Sequence, residues 1–84
     1  MFYVYVIEDQ KTHSRYIGFT NHLKQRFRQH QNGEVHTTKH WSALRLIYAE
    51  YYLNKKDAEG RERFLKSGAG WRFLKKQLRN YLAE

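Results

Sequence analysis

Two tyrosines, an arginine, a histidine and a glutamate occupy places in this sequence where packing alone would favour something else. Tyr5 and Tyr16 lie in two short runs, Phe2 to Ile7 and Ser14 to Thr20, rich in the aromatic and β-branched residues that suit a pleated strand. Alternate side chains of a strand share a face, so Tyr3, Tyr5 and Ile7 fall opposite Val4 and Val6, and Tyr16 and Gly18 fall opposite Ile17 and Phe19. If the two runs pair as a hairpin, two phenols meet across it. Half-buried tyrosines with wet hydroxyls would be the plainer explanation of each taken singly. Gly18 tilts the balance, because a glycine inside a strand is tolerated where a ligand or another backbone must come close.

Leu23, Arg26 and His30 are spaced i, i+3 and i+7, which sets the arginine and histidine along the apolar edge of a helix and turns them toward the hairpin. A guanidinium there suits a phosphate, since its planar fork stays charged and offers two parallel hydrogen bonds to nonbridging oxygens. A histidine one turn on can move or orient a proton near neutral pH. Alone, Arg26 would read as a snorkelling surface residue and His30 as a helix C-terminal charge. Ala58, Glu62 and Leu65 repeat the anomaly at i, i+4 and i+7, with a carboxylate on an apolar stripe. The ordinary explanation is a surface pair of Glu62 with Lys66, like that expected between Glu59 and Arg63. An inward carboxylate with water and substrate oxygens around it suits Mg²⁺ or Mn²⁺.

The remaining acids form no obvious pair: Glu8 and Asp9 fall in the expected hairpin loop, Glu50 in a strand, and Glu34 and Glu84 in exposed segments. A two-metal site or a glycosidase-like dyad is disfavoured. His36 and His40, four apart, lack the third ligand that zinc requires, and the chain has no cysteine.

Three strands and three helices must position these groups. Glu8 to His13 joins the first two strands. Thr20 or Asn21 is expected to cap the helix carrying Leu23 and Phe27, and Asn32-Gly33 to end it. Residues 34 to 43 form a loop or one short turn. Leu44 to Tyr52 reads as a third strand and a central one. Asn54 opens a second helix through about Lys66, Ser67-Gly68-Ala69-Gly70 breaks it, and Trp71 to Leu82 makes a third. The order ββα-βαα predicts an α+β fold, a three-stranded, largely antiparallel sheet flanked by helices, within a single domain spanning 1–84.

With 16 Lys and Arg against eight Asp and Glu, the net charge of +8 points to a polyanionic partner, nucleic acid first. A basic domain docking on an acidic protein, anchored by Trp71 and Phe73, is the rival reading of the same charge. The lack of cysteine suits a reducing cytoplasm, and no apolar stretch is long enough for a membrane span.

Together these residues resemble the GIY-YIG nuclease superfamily, in particular its small stand-alone bacterial members. Tyr3-Val4-Tyr5 stands where the family has Gly-Ile-Tyr, followed after ten intervening residues by Tyr16-Ile17-Gly18. Leu23-x-x-Arg26-x-x-x-His30 comes next, then Asp57-Ala58-x-x-Arg61-Glu62 ahead of Phe64-Leu65-Lys66. Short motifs in this order and spacing are specific where each alone is weak. The resemblance implies a metal-dependent endonuclease, with Tyr5 and Tyr16 as active-site phenols, Arg26 as phosphate clamp, His30 handling a proton and Glu62 binding Mg²⁺ or Mn²⁺. A tyrosine would be the general base. DNA is the expected substrate, as in the homing endonucleases and the DNA-repair incision subunit that carry this module. Those relatives add separate DNA-binding domains, so here either Arg72, Lys75, Lys76 and Arg79 on the last helix are expected to hold nucleic acid beside Arg26, or a protein partner is. A noncatalytic binder of the same fold is the alternative. Two departures stand out: Tyr3 replaces the first glycine, and Asn80, the candidate for the family's late asparagine, lies farther beyond Glu62 than the pattern has it.

Overall fold

The computed structural model describes residues 1–84. Two aromatic-rich strands, β1 (Phe2–Asp9) and β2 (Arg15–Thr20), form an antiparallel hairpin in which Tyr5 faces Gly18 and Ile7 faces Tyr16. The next elements are α1 (Leu23–Gln31), a 3-10 turn at His36–Thr38 and β3 (Leu44–Tyr52), which pairs with the other side of β1. Three helices complete the chain: α2 (Lys55–Leu65), α3 (Gly68–Gln77) and the short α4 (Arg79–Leu82).

The strand order is β2-β1-β3, so β1 is central and β3 is an edge, contrary to the reading of Leu44 to Tyr52 as the central strand. Position follows burial: β1 is sealed without a break from Val4 to Asp9, whereas Arg45, Ala49 and Tyr51 of β3 are exposed. A bulge between Val6 and Ile7 shifts the pairing with β3.

Each face of the sheet has its own cover. Val4 and Val6 form the apolar core with Ala58 and Leu65 of α2 and Leu74 of α3. Gly70 lets α3 cross close to the end of α2, since a Cβ there would lie 2.0 Å from the Phe64 carbonyl oxygen. The opposite face, carrying Tyr5, lies against His30 of α1 and Thr38 of the turn.

Several boundaries depart from the sequence reading. Helix α1 begins after His22 with no side-chain cap; Thr20 instead uses its hydroxyl to accept from the His22 N–H, at 3.0 Å, and shapes the entry. Ser67 opens α3 as its cap, accepting from the Gly70 N–H, and Leu78 divides the expected third helix in two. Glu8 and Asp9 belong to β1 and are buried, not part of an open loop. Glu8 accepts from the Tyr81 hydroxyl at 2.6 Å and pairs with Arg15 at 3.2 Å, so the end of the chain ties back to the sheet.

Candidate active site

Tyr5 is where the local sequence and the tertiary fold meet. Its ring lies across β2 in the gap left by Gly18: a Cβ at that position would sit 2.4 Å from the Tyr5 Cζ and hydroxyl and 2.8 Å from Tyr16 Cε1. The close approach that requires a glycine is therefore made by the protein's own phenol rings. The two rings are 6.2 Å apart between centroids, and His30 stands edge-on to both, 5.7 Å from Tyr5 and 4.8 Å from Tyr16.

His30 is buried and carries a hydrogen bond on each ring nitrogen, Nε2 with the Tyr5 hydroxyl at 2.9 Å and Nδ1 with Thr38 Oγ1 at 2.8 Å. Burial and then the Arg26 charge lower its pKa to about 4, so at neutral pH the imidazole is neutral. This sets aside the plainer alternative of a helix C-terminal charge and agrees with a histidine turned toward the hairpin. Burial, followed by the proximity of Tyr16, pushes the Tyr5 pKa well above the ordinary phenol value, against a smaller opposing pull from Arg26. Tyr5 is thus held as a neutral phenol.

The charged groups sit at the margin. Arg26 is half-buried, and its one side-chain hydrogen bond is a long one, 3.4 Å to Gln29. It opens on a polar hollow of about 170 Å³ between Thr20 and Gln29. The larger hollow, about 750 Å³ beside Tyr3, Leu23, Phe27 and Leu46, is more apolar and adjoins the first through Asn21, His22 and Gln25. Glu62 is likewise half-buried, and its charge reaches Tyr5, adding to the upward push on that phenol. Its salt-bridge partner is Lys66, one turn on at 3.1 Å and more than half exposed. The pair seen as the ordinary explanation does form, and the carboxylate stays partly exposed beside it. No corresponding pair forms between Glu59 and Arg63.

The model of the GIY-YIG catalytic domain matches residues 1–70. The chain belongs to the GIY-YIG family. Relatives include a UPF0213 protein of Clostridium perfringens, 37% identical over 67 residues covering 79% of this chain and 71% of the relative. Another UPF0213 protein, from Limosilactobacillus reuteri, is 40% identical over 68 residues covering 77% and 70% of the two chains. No solved structure matches. Membership in the GIY-YIG family points to a nuclease-type function with nucleic acid as substrate, in a family whose nucleases typically use divalent metal ions.

Within this GIY-YIG domain, Tyr5, Tyr16 and His30 come together, and the charges of Arg26 and Glu62 both bear on Tyr5. Arg72, Lys75, Lys76 and Arg79 do not join them. They are exposed on α3 and α4, helices packed on the other face of the sheet. Asn80 is exposed as well. Thr38 is the residue that the sequence reading missed; it lies in a segment with no periodicity, and only the fold brings it under His30. No helix is long and apolar enough to cross a membrane.

Proposed function

We propose that this GIY-YIG domain is a metal-dependent endonuclease that hydrolyses phosphodiester bonds, with DNA the first substrate to test. The observation that carries the reading is the convergence of two phenols and a buried neutral imidazole, with a half-buried guanidinium and carboxylate acting on the same phenol.

No cluster of three or more histidine, cysteine or acidic side chains stands ready to hold a metal alone, and Glu62 is a single oxygen donor. That donor set fits Mg²⁺ or Mn²⁺, which keep several waters and accept phosphate oxygens in the remaining positions. Glu62 would hold the ion once Lys66 swings out. When bound, the ion supplies positive charge against the phosphoryl oxygens.

The residues themselves divide the other tasks. Arg26 grips two nonbridging oxygens and stabilises the charge that builds on them as water attacks phosphorus in line. Tyr16, half-buried beside the cleft, takes the proton of the attacking water after giving its own to solvent, while the bond to the leaving oxygen breaks on the far side and that oxygen is protonated from solvent water. Tyr5 keeps its own proton and serves as a hydrogen-bond donor. Arg72, Lys75, Lys76 and Arg79 hold flanking backbone by charge, which gives salt-sensitive binding with little sequence preference.

The test is cleavage of plasmid DNA, branched DNA and structured RNA with Mg²⁺ or Mn²⁺, by wild type and by Tyr16→Phe. Metal-dependent cutting that Tyr16→Phe abolishes supports the assignment. Equal cutting by both proteins would reveal a contaminant, and salt-sensitive binding without cutting would return the domain to the noncatalytic binders.

A further inference from the structure

Thr38 takes no part in the reading above, yet it is wholly buried and its hydroxyl makes one hydrogen bond, to His30 Nδ1. Neutral imidazole carries a proton on only one nitrogen, so the Thr38–His30–Tyr5 chain can run in one of two directions. With the proton on Nδ1, His30 donates to Thr38 and accepts from Tyr5. The Thr38 O–H is then left without an acceptor in a sealed pocket, which is costly. With the proton on Nε2, Thr38 donates to Nδ1 and His30 donates to the Tyr5 oxygen. The Tyr5 O–H is then turned away from His30, on the side where the Tyr16 ring shares the space over Gly18 and its hydroxyl is close enough to perturb Tyr5.

We infer that Thr38 is a positioning residue: it holds His30 in the Nε2–H tautomer and so directs every proton of the chain toward Tyr16. The direction gives the two phenols different work. Tyr5 receives a hydrogen bond from His30 and keeps its own O–H to donate on the Tyr16 side of the site, where negative charge develops. His30 therefore acts as a donor and not as the base that strips Tyr5. The use of this chain in catalysis rests on the nuclease reading; the tautomer itself does not.

Long-range ¹H–¹⁵N correlation spectra of the labelled protein near pH 7 test it, with the His30 signals identified by their loss in His30→Gln. The expected result is a protonated Nε2 and an unprotonated Nδ1 in wild type and in Thr38→Ser, with proton density shifted toward Nδ1 in Thr38→Val. Single-turnover cleavage should fall on the order of tenfold in Thr38→Val, in kcat with KM unchanged, and recover in Thr38→Ser. An Nδ1–H tautomer in wild type would overturn the inference, even if Thr38→Val failed to fold. So would an unchanged tautomer in folded Thr38→Val. If wild type shows Nε2–H but cuts no substrate, the tautomer stands and the catalytic role assigned to Thr38 falls with the nuclease.

Discussion

Two tyrosine-rich polar clusters lie on opposite faces of the same sheet, and they differ in how completely their charges are satisfied. On the α2 face, Arg61 grips Glu50 with two hydrogen bonds of 2.8 and 2.9 Å, and the hydroxyls of Tyr48 and Tyr52 also donate to that carboxylate. The guanidinium stacks 4.4 Å from the Phe73 ring. Burial works against the Glu50 charge, but the bonds from Arg61, Tyr48 and Tyr52 outweigh it and hold the carboxyl below its ordinary pKa. On the α1 face, Tyr5, His30 and Thr38 are buried and neutral, while Arg26 at its margin and Glu62, whose charge reaches Tyr5 from α2, have only a long contact to Gln29 and an exposed lysine. A closed cluster spends its capacity inside the protein. An open one keeps it for something that arrives, which is why the α1 face is the candidate site and the α2 face a clamp.

Substitutions should separate the two faces. The largest effect is expected from Gly18→Ala, whose Cβ would collide with Tyr5 at 2.4 Å. Displacing a buried phenol between backbone strands should cost about 3 kcal/mol in urea unfolding and remove activity, because both phenols must shift. Arg61→Ala should cost about 2 kcal/mol, discounted for partial exposure, since it leaves the Glu50 carboxylate without its main partner. Its cleavage rate per folded molecule should fall by less than about tenfold.

Acid should weaken the open face first. The folded-state pKa of His30 is lowered, from 6.5 to about 4, so the unfolded chain binds the proton more readily. His30's contribution is full above 6.5 and is lost as pH falls toward about 4, by about 3 kcal/mol. The Glu50 carboxyl, also lowered, loses its contribution only as pH drops below 4.5. Unfolding free energy measured between pH 6.5 and pH 4.5 should therefore decline in wild type and decline less in His30→Gln. The smallest effects belong to Arg72, Lys75, Lys76 and Arg79. Replacing any one by alanine should weaken DNA binding a few-fold and reduce the slope of log affinity against log salt by about 1, with stability unchanged.

Much of the open face was legible in the sequence, because its residues break local rules. Tyr5, Tyr16 and Gly18 follow from strand alternation, and Arg26 and His30 from helical phase, so local periodicity was enough to aim them at one another. Thr38 has no such phase, and its role depends on a turn that folds back eight residues after His30. Long-range partners account for the other gaps. Glu8 reads as a loop acid until Tyr81, 73 residues away, supplies its hydrogen bond. The place of Leu44 to Tyr52 at the sheet edge was decided by pairing with β1, although its exposed Arg45, Ala49 and Tyr51 carry the alternation of a strand with one face open. The clamp was missed for the same reason, as Glu50 and Arg61 sit on separate elements.

The most direct measurement is Mg²⁺-dependent single-turnover cleavage set beside urea unfolding, for wild type, Arg26→Ala and Glu62→Ala. Loss of Arg26, the proposed phosphate ligand, or of Glu62, the proposed metal ligand, should lower cleavage by roughly a hundredfold or more while moving unfolding free energy by less than about 1 kcal/mol. Variants that cut as wild type does, or that lose activity only in step with stability, would contradict the assignment of the open face as the active site.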